Sequence, residues 1–488
     1  MANRGLNLQV SLYFWFKDAT EMKHNFFHIF LFILLYHKSD SQEPATQQKT
    51  IAIKNVNVIQ MTSPNKVMYN VTVIIKGPRI VSLSGSIPNG AEIIDGKDKW
   101  LIPGLIDMHV HIPTDFSTGK KLPTQPPDII FNTQDIMTPF IANGVTTIFN
   151  LNANVQSFSQ RAEIEKGNII GPRMALAALI NGGDGSGRIA NTPVEGRQAV
   201  RDAKFEGYEF IKLYSQLNKE TYAEIIDEAY KHGLKTVGHI PGDFQGKLEE
   251  AFVPHFDMVA HAEEFSKHAK DFSYQEAQRF AMLAKKNGTW LSPTLIAMVW
   301  IANQAHSLDS LKTLPALQYV HPLIQSKWLT ANNYNRNTTP ERAAYFKKLV
   351  KFHSQIVRAF KEAEVPMVAG TDAGVSGIVG GFSLQDELGL LQEAGLTPEE
   401  TLASATRLSA IWLGLDSEIG TIEAGKFADL ILLNENPLDN AKNIRKISGV
   451  FINGQWLPGA KLQAMLADLS KRNNASKDKF DWKKTISK

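Results

Sequence analysis

No cysteine occurs among the 488 residues. That excludes disulfides, thiolate metal sites and cysteine nucleophiles together, so any bound metal must be held by nitrogen and oxygen donors. Charge of one sign is also scarce: 52 basic against 49 acidic side chains leave a formal net charge of +3. A nucleic-acid binder needs clustered positive potential, so nucleic acid is not an expected partner. The N-terminal apolar sequence is short. From Met22 the chain reads MKHNFFHIFLFILLYHKSDSQ, a short basic start followed by about eleven apolar residues and then the small residues Ser39 and Ser41. A membrane span needs about twenty apolar residues. The layout is that of a secretory signal with the true start at Met22, against the alternative of a core helix in a cytosolic protein. The expectation is an exported, periplasmic or extracellular protein without a stable membrane span once the signal is removed.

What the chain does contain is ordinary globular composition, 43% hydrophobic and 21% charged, enough for one large domain and a small one. From Thr50 to Trp100, runs such as IAIKNVNVI and VTVIIKG are separated by Asn, Lys, Gly and Pro, which is strand and hairpin patterning. From Arg173 to Gly414 strands alternate with helices, the pattern of parallel strands joined by crossovers. The clearest unit has FIKLY as a strand, Asn218 as a helix cap, Gly233 as its end and KTVGHI as the next strand. Ser273 with Glu276, and Thr397 with Glu400, mark further helix starts. Strands near 105, 145, 175, 210, 236, 258, 291 and 367 number about eight, which predicts a closed (β/α)8 TIM barrel. Beyond Gly420, FADLILL and GVFINGQW return to strand patterning. The predicted organisation is an N-terminal extension and signal over 1–41, a β-sandwich formed discontinuously by 42–103 and 417–460, a barrel over 104–416, and a basic tail over 461–488. The stretch 297–352 is longer than one crossover needs, and reads either as a cover for the barrel mouth or as surface elaboration.

Chemistry-bearing residues recur at predicted strand ends. In LIDMHVHI, His109 and His111 stand two apart, so alternation puts both imidazoles on one face of the strand. In a barrel the interior face at the C-terminal strand end is where sites are built, so the pair can grip one metal. Lys212 in FIKLY points inward with Phe210 and Tyr214. A buried ammonium is costly, and burial lowers its pKa until the neutral amine can react with carbon dioxide to give a carbamate, an oxygen ligand for two cations. A lysine paired with a carboxylate is the alternative. His239 ends KTVGHI, His261 ends FDMVAH and Asp372 follows an apolar run in PMVAGTDAG. Each alone could be a satisfied core residue, whereas six donors at successive strand ends point jointly to a metal site. His232, His255, His268, His306, His321 and His353 fall in helices or loops and read as structural.

The segments PGLIDMHVH, NGVTTI, GPRM, FIKLY, GLKTVGHI, VAHAEEF, LSPTL, AGTDAG, LQDELGLLQEAGLTPEETLASAT and GTIEAGKFADLILLNENPL resemble the amidohydrolase superfamily. The branch they resemble is imidazolonepropionase-like and prolidase-like, over nearly all of Thr50 to Trp456. The resemblance implies a metal-dependent hydrolase of C–N bonds with two divalent cations, commonly zinc. His109, His111 and Asp372 would bind one, His239 and His261 the second, and carbamylated Lys212 would bridge them. It further implies that the cations acidify a bridging water while Asp372 moves its proton to the leaving nitrogen. Tyr214 is a candidate donor to the oxyanion, or else a packing residue. Phe149 and Asn150 depart from the Arg and Asp common after GVTT, Gln385 replaces a frequent His, and the loop NGGDGSGR is this chain's own. All are expected to bear on the pocket and hence on substrate.

The substrate expected is a small acylated amine or an Xaa-Pro-type dipeptide. The alternatives are a mononuclear cyclic-amide hydrolase or deaminase and, from another class, a non-catalytic scaffold on the same fold. A homo-oligomer is compatible with the sequence.

Overall fold

The computed structural model of the protein describes residues 49–118, 125–336 and 338–486; the expected signal segment lies outside them. The chain opens with β1 (Thr50–Ile59), β2 (Val67–Lys76), β3 (Arg79–Ser82), β4 (Glu92–Asp95) and β5 (Trp100–Pro103). After the barrel it returns with β13 (Leu430–Leu433), β14 (Ile447–Ile452) and β15 (Gln455–Pro458). These eight strands form one sheet in the order β15-β14-β13-β5-β1-β2-β3, with β4 beside β1. The join between the two chain ends is the antiparallel pairing of β5 with β13, Trp100 opposite Leu433 and Pro103 opposite Leu430. Alternating residues Ile51, Ile53, Leu101, Leu430 and Leu432 build its apolar core.

Between the two halves lies the barrel: β6 (Leu105–Val110), β7 (Val145–Asn150), β8 (Arg173–Asn181), β9 (Phe210–Leu213), β10 (Lys235–Gly238), β11 (Met258–Ala260) and β12 (Trp290–Ser292). Neighbours along this order are parallel and hydrogen-bonded. The segment 366–373 closes the ring: Val368 N–H donates to Leu291 O, and Asp372 N–H donates to His109 O. Parallel bridges join Leu291 with Met367 and Val110 with Ala373. The architecture is thus a parallel barrel carrying a separate, largely antiparallel sheet drawn from both ends of the chain.

Local signals act where the sequence places them. Asn218 accepts from Thr221 N–H, Ser273 from Glu276 N–H, and Thr397 with Glu400 forms a reciprocal capping box. The segment 461–488 differs from the basic tail expected of it. Gly459–Ser476 is a helix that buries Leu462, Leu466 and Leu469, two of them in a cluster with Ile141, Val450 and Leu457. Lys461 before these leucines and Lys471 and Arg472 after them give the segment its basic look, and the i, i+4, i+7 stripe between them suffices to dock the helix. Among the described residues no helix is long and apolar enough to cross a membrane.

Candidate metal centre

The strand ends deliver their side chains into one cavity of about 380 Å³, lined by His111, His239, His261 and Asp372 together with Tyr214 and Tyr334. β6 carries His109, fully buried, and His111 follows the strand end, partly open to the cavity. Asp372 Oδ1 lies 3.2 Å from His109 Nε2 and 2.9 Å from His111 Nε2. Donor atoms of these three residues all fall within 4.8 Å of one another. Among the described residues His109 nevertheless finds no hydrogen-bond partner for either ring nitrogen: its approach to Asp372 has the proximity of an ion pair without hydrogen-bond geometry.

The rings of His239 and His261 follow, centroids 4.9 Å apart, with His261 4.5 Å from His109. Each has its Nδ1 occupied from outside. His239 Nδ1 donates to Glu264 Oε1 at 2.6 Å, and His261 Nδ1 pairs with Thr294 Oγ1 at 2.7 Å. Both arrangements leave Nε2 free and fix the ring plane, which is how proteins orient metal-binding imidazoles. Lys267 Nζ donates to the same oxygen, Glu264 Oε1, at 2.7 Å, while Glu264 Oε2 accepts from Ile240 N–H at 3.0 Å. Burial opposes the Glu264 charge, but His239 and Lys267 outweigh it and hold the carboxyl well below its ordinary range.

Lys212 completes the group. It is fully buried and its Nζ has no hydrogen-bond partner among the described residues. Burial pulls its pKa down to about 8, against the opposing pull of Asp372 and Glu264. Burial likewise drives His109 and His261 well below the ordinary imidazole value, with Lys212 adding to it. Neutral imidazoles are the form that binds metals. Burial raises the Asp372 carboxyl, but His109, His111 and His261 overcome it and keep it well below its usual range.

Backbone geometry at the centre is unusual for the residues that adopt it: His261 (φ 77°), Thr294 (φ 47°) and Asp372 (φ 66°) are all left-handed. Such conformations cost on the order of 1–3 kcal/mol each and persist where surrounding structure imposes them. Glycine is required at Gly238, immediately before His239, because a Cβ there would lie 2.2 Å from Leu213 O on the neighbouring strand. Tyr214 packs edge-on against His239 at 4.5 Å, and burial followed by Asp372 raises its hydroxyl pKa.

The donor set fits divalent cations on its own chemistry: four imidazoles, one carboxylate, orphaned nitrogens on His109 and Lys212, and two imidazoles fixed from behind. Sequence reasoning missed Glu264 and Thr294. The first stands in the VAHAEEF segment and the second in LSPTL, each a few residues after a strand end. It also misplaced three of the departures from family pattern. Phe149 is buried away from the cavity against Phe210 and Trp412. Asn150 is consumed by loop hydrogen bonds with Ile112 N–H and Asn152 N–H. Gln385 donates to Asn143 O and accepts from Arg445. Only the loop around Ser186 reaches the cavity. The long stretch after β12 does cover the mouth, since Met298, Ile301 and Tyr334 line the same cavity.

Residues 100–457 match the model of the Amidohydrolase family. A 5-methylthioadenosine/S-adenosylhomocysteine deaminase of Bacillus cereus is 24% identical over 450 residues, covering 82% of this chain and 92% of that one. Among solved structures, an Xaa-Pro dipeptidase with bound methionine superposes at a TM-score of 0.63 with 22% identity, covering 84% of this chain and all of the other. The bottromycin amidohydrolase superposes at 0.69 with 20% identity, covering 88% and 92%. At these identities the structural likenesses establish the fold alone.

Proposed function

This chain belongs to the amidohydrolase family and is a hydrolase acting on carbon–nitrogen bonds, and from that premise we propose that it cleaves the amide bond of a small acylated amine or an Xaa-Pro-type dipeptide at a centre of two divalent cations. The observation that carries this reading is Lys212, buried without a hydrogen-bond partner among the described residues and with its pKa pulled down to about 8. A bare amine among imidazoles has no structural use that would offset its desolvation. As a neutral amine its Nζ can form an N–C bond to carbon dioxide and release a proton, giving a carbamate whose oxygens supply what His239 and His261 lack as a pair.

In this reading His109, His111 and Asp372 would hold one cation, His239 and His261 the other, and carbamylated Lys212 would join them, with zinc the cation best suited to the imidazole donors. When bound, the cations supply Lewis acidity at the scissile carbonyl and acidify the attacking water. Asp372, anionic inside the cavity, accepts that water's proton and delivers it to the departing nitrogen. Tyr214, its hydroxyl kept protonated, donates to the oxygen on which negative charge develops.

A second reading, deamination at a single cation held by His109, His111 and Asp372, is favoured by the Bacillus cereus relative, a deaminase that matches 82% of this chain. Metal analysis after growth with bicarbonate separates the two. Two cations per chain falling to one in Lys212→Ala, with an amine released from N-acyl amino acids or Xaa-Pro dipeptides, is expected. One cation in both proteins, with ammonia as the product, overturns the binuclear reading in favour of the second. Export from a start at Met22 stays within the proposal, and N-terminal sequencing of the mature chain tests it.

A further inference from the structure

Beside the metal cavity lies a second chamber of about 350 Å³, at the small end of the range for ligand pockets, roughly 300–1,000 Å³. The two share His111, Asn152 and Gly374 as walls, so the chamber adjoins the metal residues directly. Its lining is dominated by Pro139, Phe140, Tyr319, Ile324, Trp328 and Val379. Among the described residues no lysine or arginine lines it. The charge that is present is partly committed. Asp135 is paired with Arg472 at 2.5 Å, and Asp115 accepts from the Thr114 hydroxyl at 2.7 Å. His321 has a pKa lowered by burial and accepts from Leu323 N–H through Nδ1. The metal cavity, by contrast, presents Tyr214, Glu263, Tyr334 and Ser186. The combined site is therefore two-sided, mixed over the donors, where Met298 and Ile301 accompany those polar groups, and more apolar beyond His111.

We infer that the chamber between Phe140, Ile324 and Trp328 binds an uncharged apolar group, aliphatic or aromatic, carried by the substrate on one side of the scissile bond. The inference rests on the proposed function for the identity of that bond, and on geometry alone for the chamber. An anionic substituent finds no lysine or arginine there among the described residues. Burying an apolar one removes its surface from water in proportion to its area.

Simple amides test this without requiring turnover. Binding of acetamide, hexanamide, 3-phenylpropanamide and 6-aminohexanamide to the metal-loaded protein is measured by ligand-observed NMR. Hexanamide and 3-phenylpropanamide are expected to bind at least roughly tenfold more tightly than acetamide. That advantage should collapse in Ile324→Asp and shrink in Ile324→Ala. Ile324 is only partly buried, and circular dichroism checks that both variants fold. Equal affinity across the uncharged series, tighter binding of 6-aminohexanamide than of hexanamide, or an advantage that survives in folded Ile324→Asp overturns the inference. The same acyl groups on N-acyl substrates report on turnover. If binding discriminates while no amide is hydrolysed, the chamber stands and the proposed reaction fails; hydrolysis without discrimination overturns the chamber and leaves the proposed reaction standing.

Discussion

The hydroxyl of Thr294 lies 2.7 Å from His261 Nδ1, on a residue whose own backbone is left-handed (φ 47°). β-Branched residues resist that conformation, so a threonine kept there points to a use for the hydroxyl. Partners that fix a metal-binding imidazole are worth roughly 10–100-fold in metal affinity. Thr294→Val should therefore release metal more readily by about that factor in chelator competition, and Thr294→Ser should retain most of the wild-type affinity. Indistinguishable affinities for the valine variant and the wild type would remove Thr294 from this role. The donors themselves are legible in the sequence because each ends a short apolar run, where alternation and strand direction say which way a side chain points. Thr294 and Glu264 are not, because their use depends on how the turn after β12 or β11 folds back on a ring contributed by another segment. Phe149, Asn150 and Gln385 show the opposite failure: a departure from family pattern marks a position, and only packing shows whether it faces substrate.

At the scale of elements, the helix Leu295–His306 begins directly after Thr294 and has no side-chain cap of its own. Glu387, from the helix Phe382–Glu393, supplies one: its carboxyl accepts from Leu295 N–H at 3.0 Å and from Ile296 N–H at 2.7 Å. Without such partners the first turn would leave buried donors unsatisfied. Burial pushes the Glu387 carboxyl up to about 8 even against those two hydrogen bonds. The folded chain thus holds a proton that the unfolded chain loses near 4.5, the carboxyl's ordinary value. The associated stability is fully present below that value and is lost as pH rises through about 8. Relative to wild type, Glu387→Gln should gain thermal stability steadily between those limits, read as the difference in melting temperature of chelated protein. A difference that stays constant across the window would refute the shift. This contact joins residues 91 and 92 positions apart, which no local pattern reveals, although caps such as Thr397 with Glu400 are plain in sequence. The eighth barrel strand shows an intermediate case: its apolar run is visible near Met367, but its pairing consists of bridges, and Gly370 packs against Ser292 and His109 too closely to admit a side chain.

At the scale of the molecule, the helix Gly459–Ser476 that follows the last strand ties three parts together. Leu462 and Leu466 pack with Ile141 of the barrel and with Val450 and Leu457 of the sheet, and Tyr319 lies against the same cluster. Polar contacts reinforce the tie. Ser470 Oγ donates to Gln318 Oε1 at 2.7 Å, and Asn473 Nδ2 donates to Gln318 O at 2.9 Å and to Val320 O at 3.1 Å. Arg472 meets Asp135 at 2.5 Å. Tyr319, Val320 and Asp135 all line the apolar chamber, so the segment expected to be a tail is the support behind one chamber wall. None of its residues lines the metal cavity. Leu466→Ala should cost about 2–5 kcal/mol, as buried leucine truncations do, within the roughly 5–15 kcal/mol that folded proteins command. The damage should be local. Binding of 3-phenylpropanamide weakens relative to acetamide because the wall formed by Tyr319 and Val320 loses its backing, while the number of cations per chain stays that of wild type. Thermal melts, the amide binding ratio and metal analysis on one preparation decide it. A lower melting temperature with an unaltered binding ratio would mean that the helix stabilises the fold without shaping the chamber, and a lost cation would mean that the two halves of the site are mechanically one.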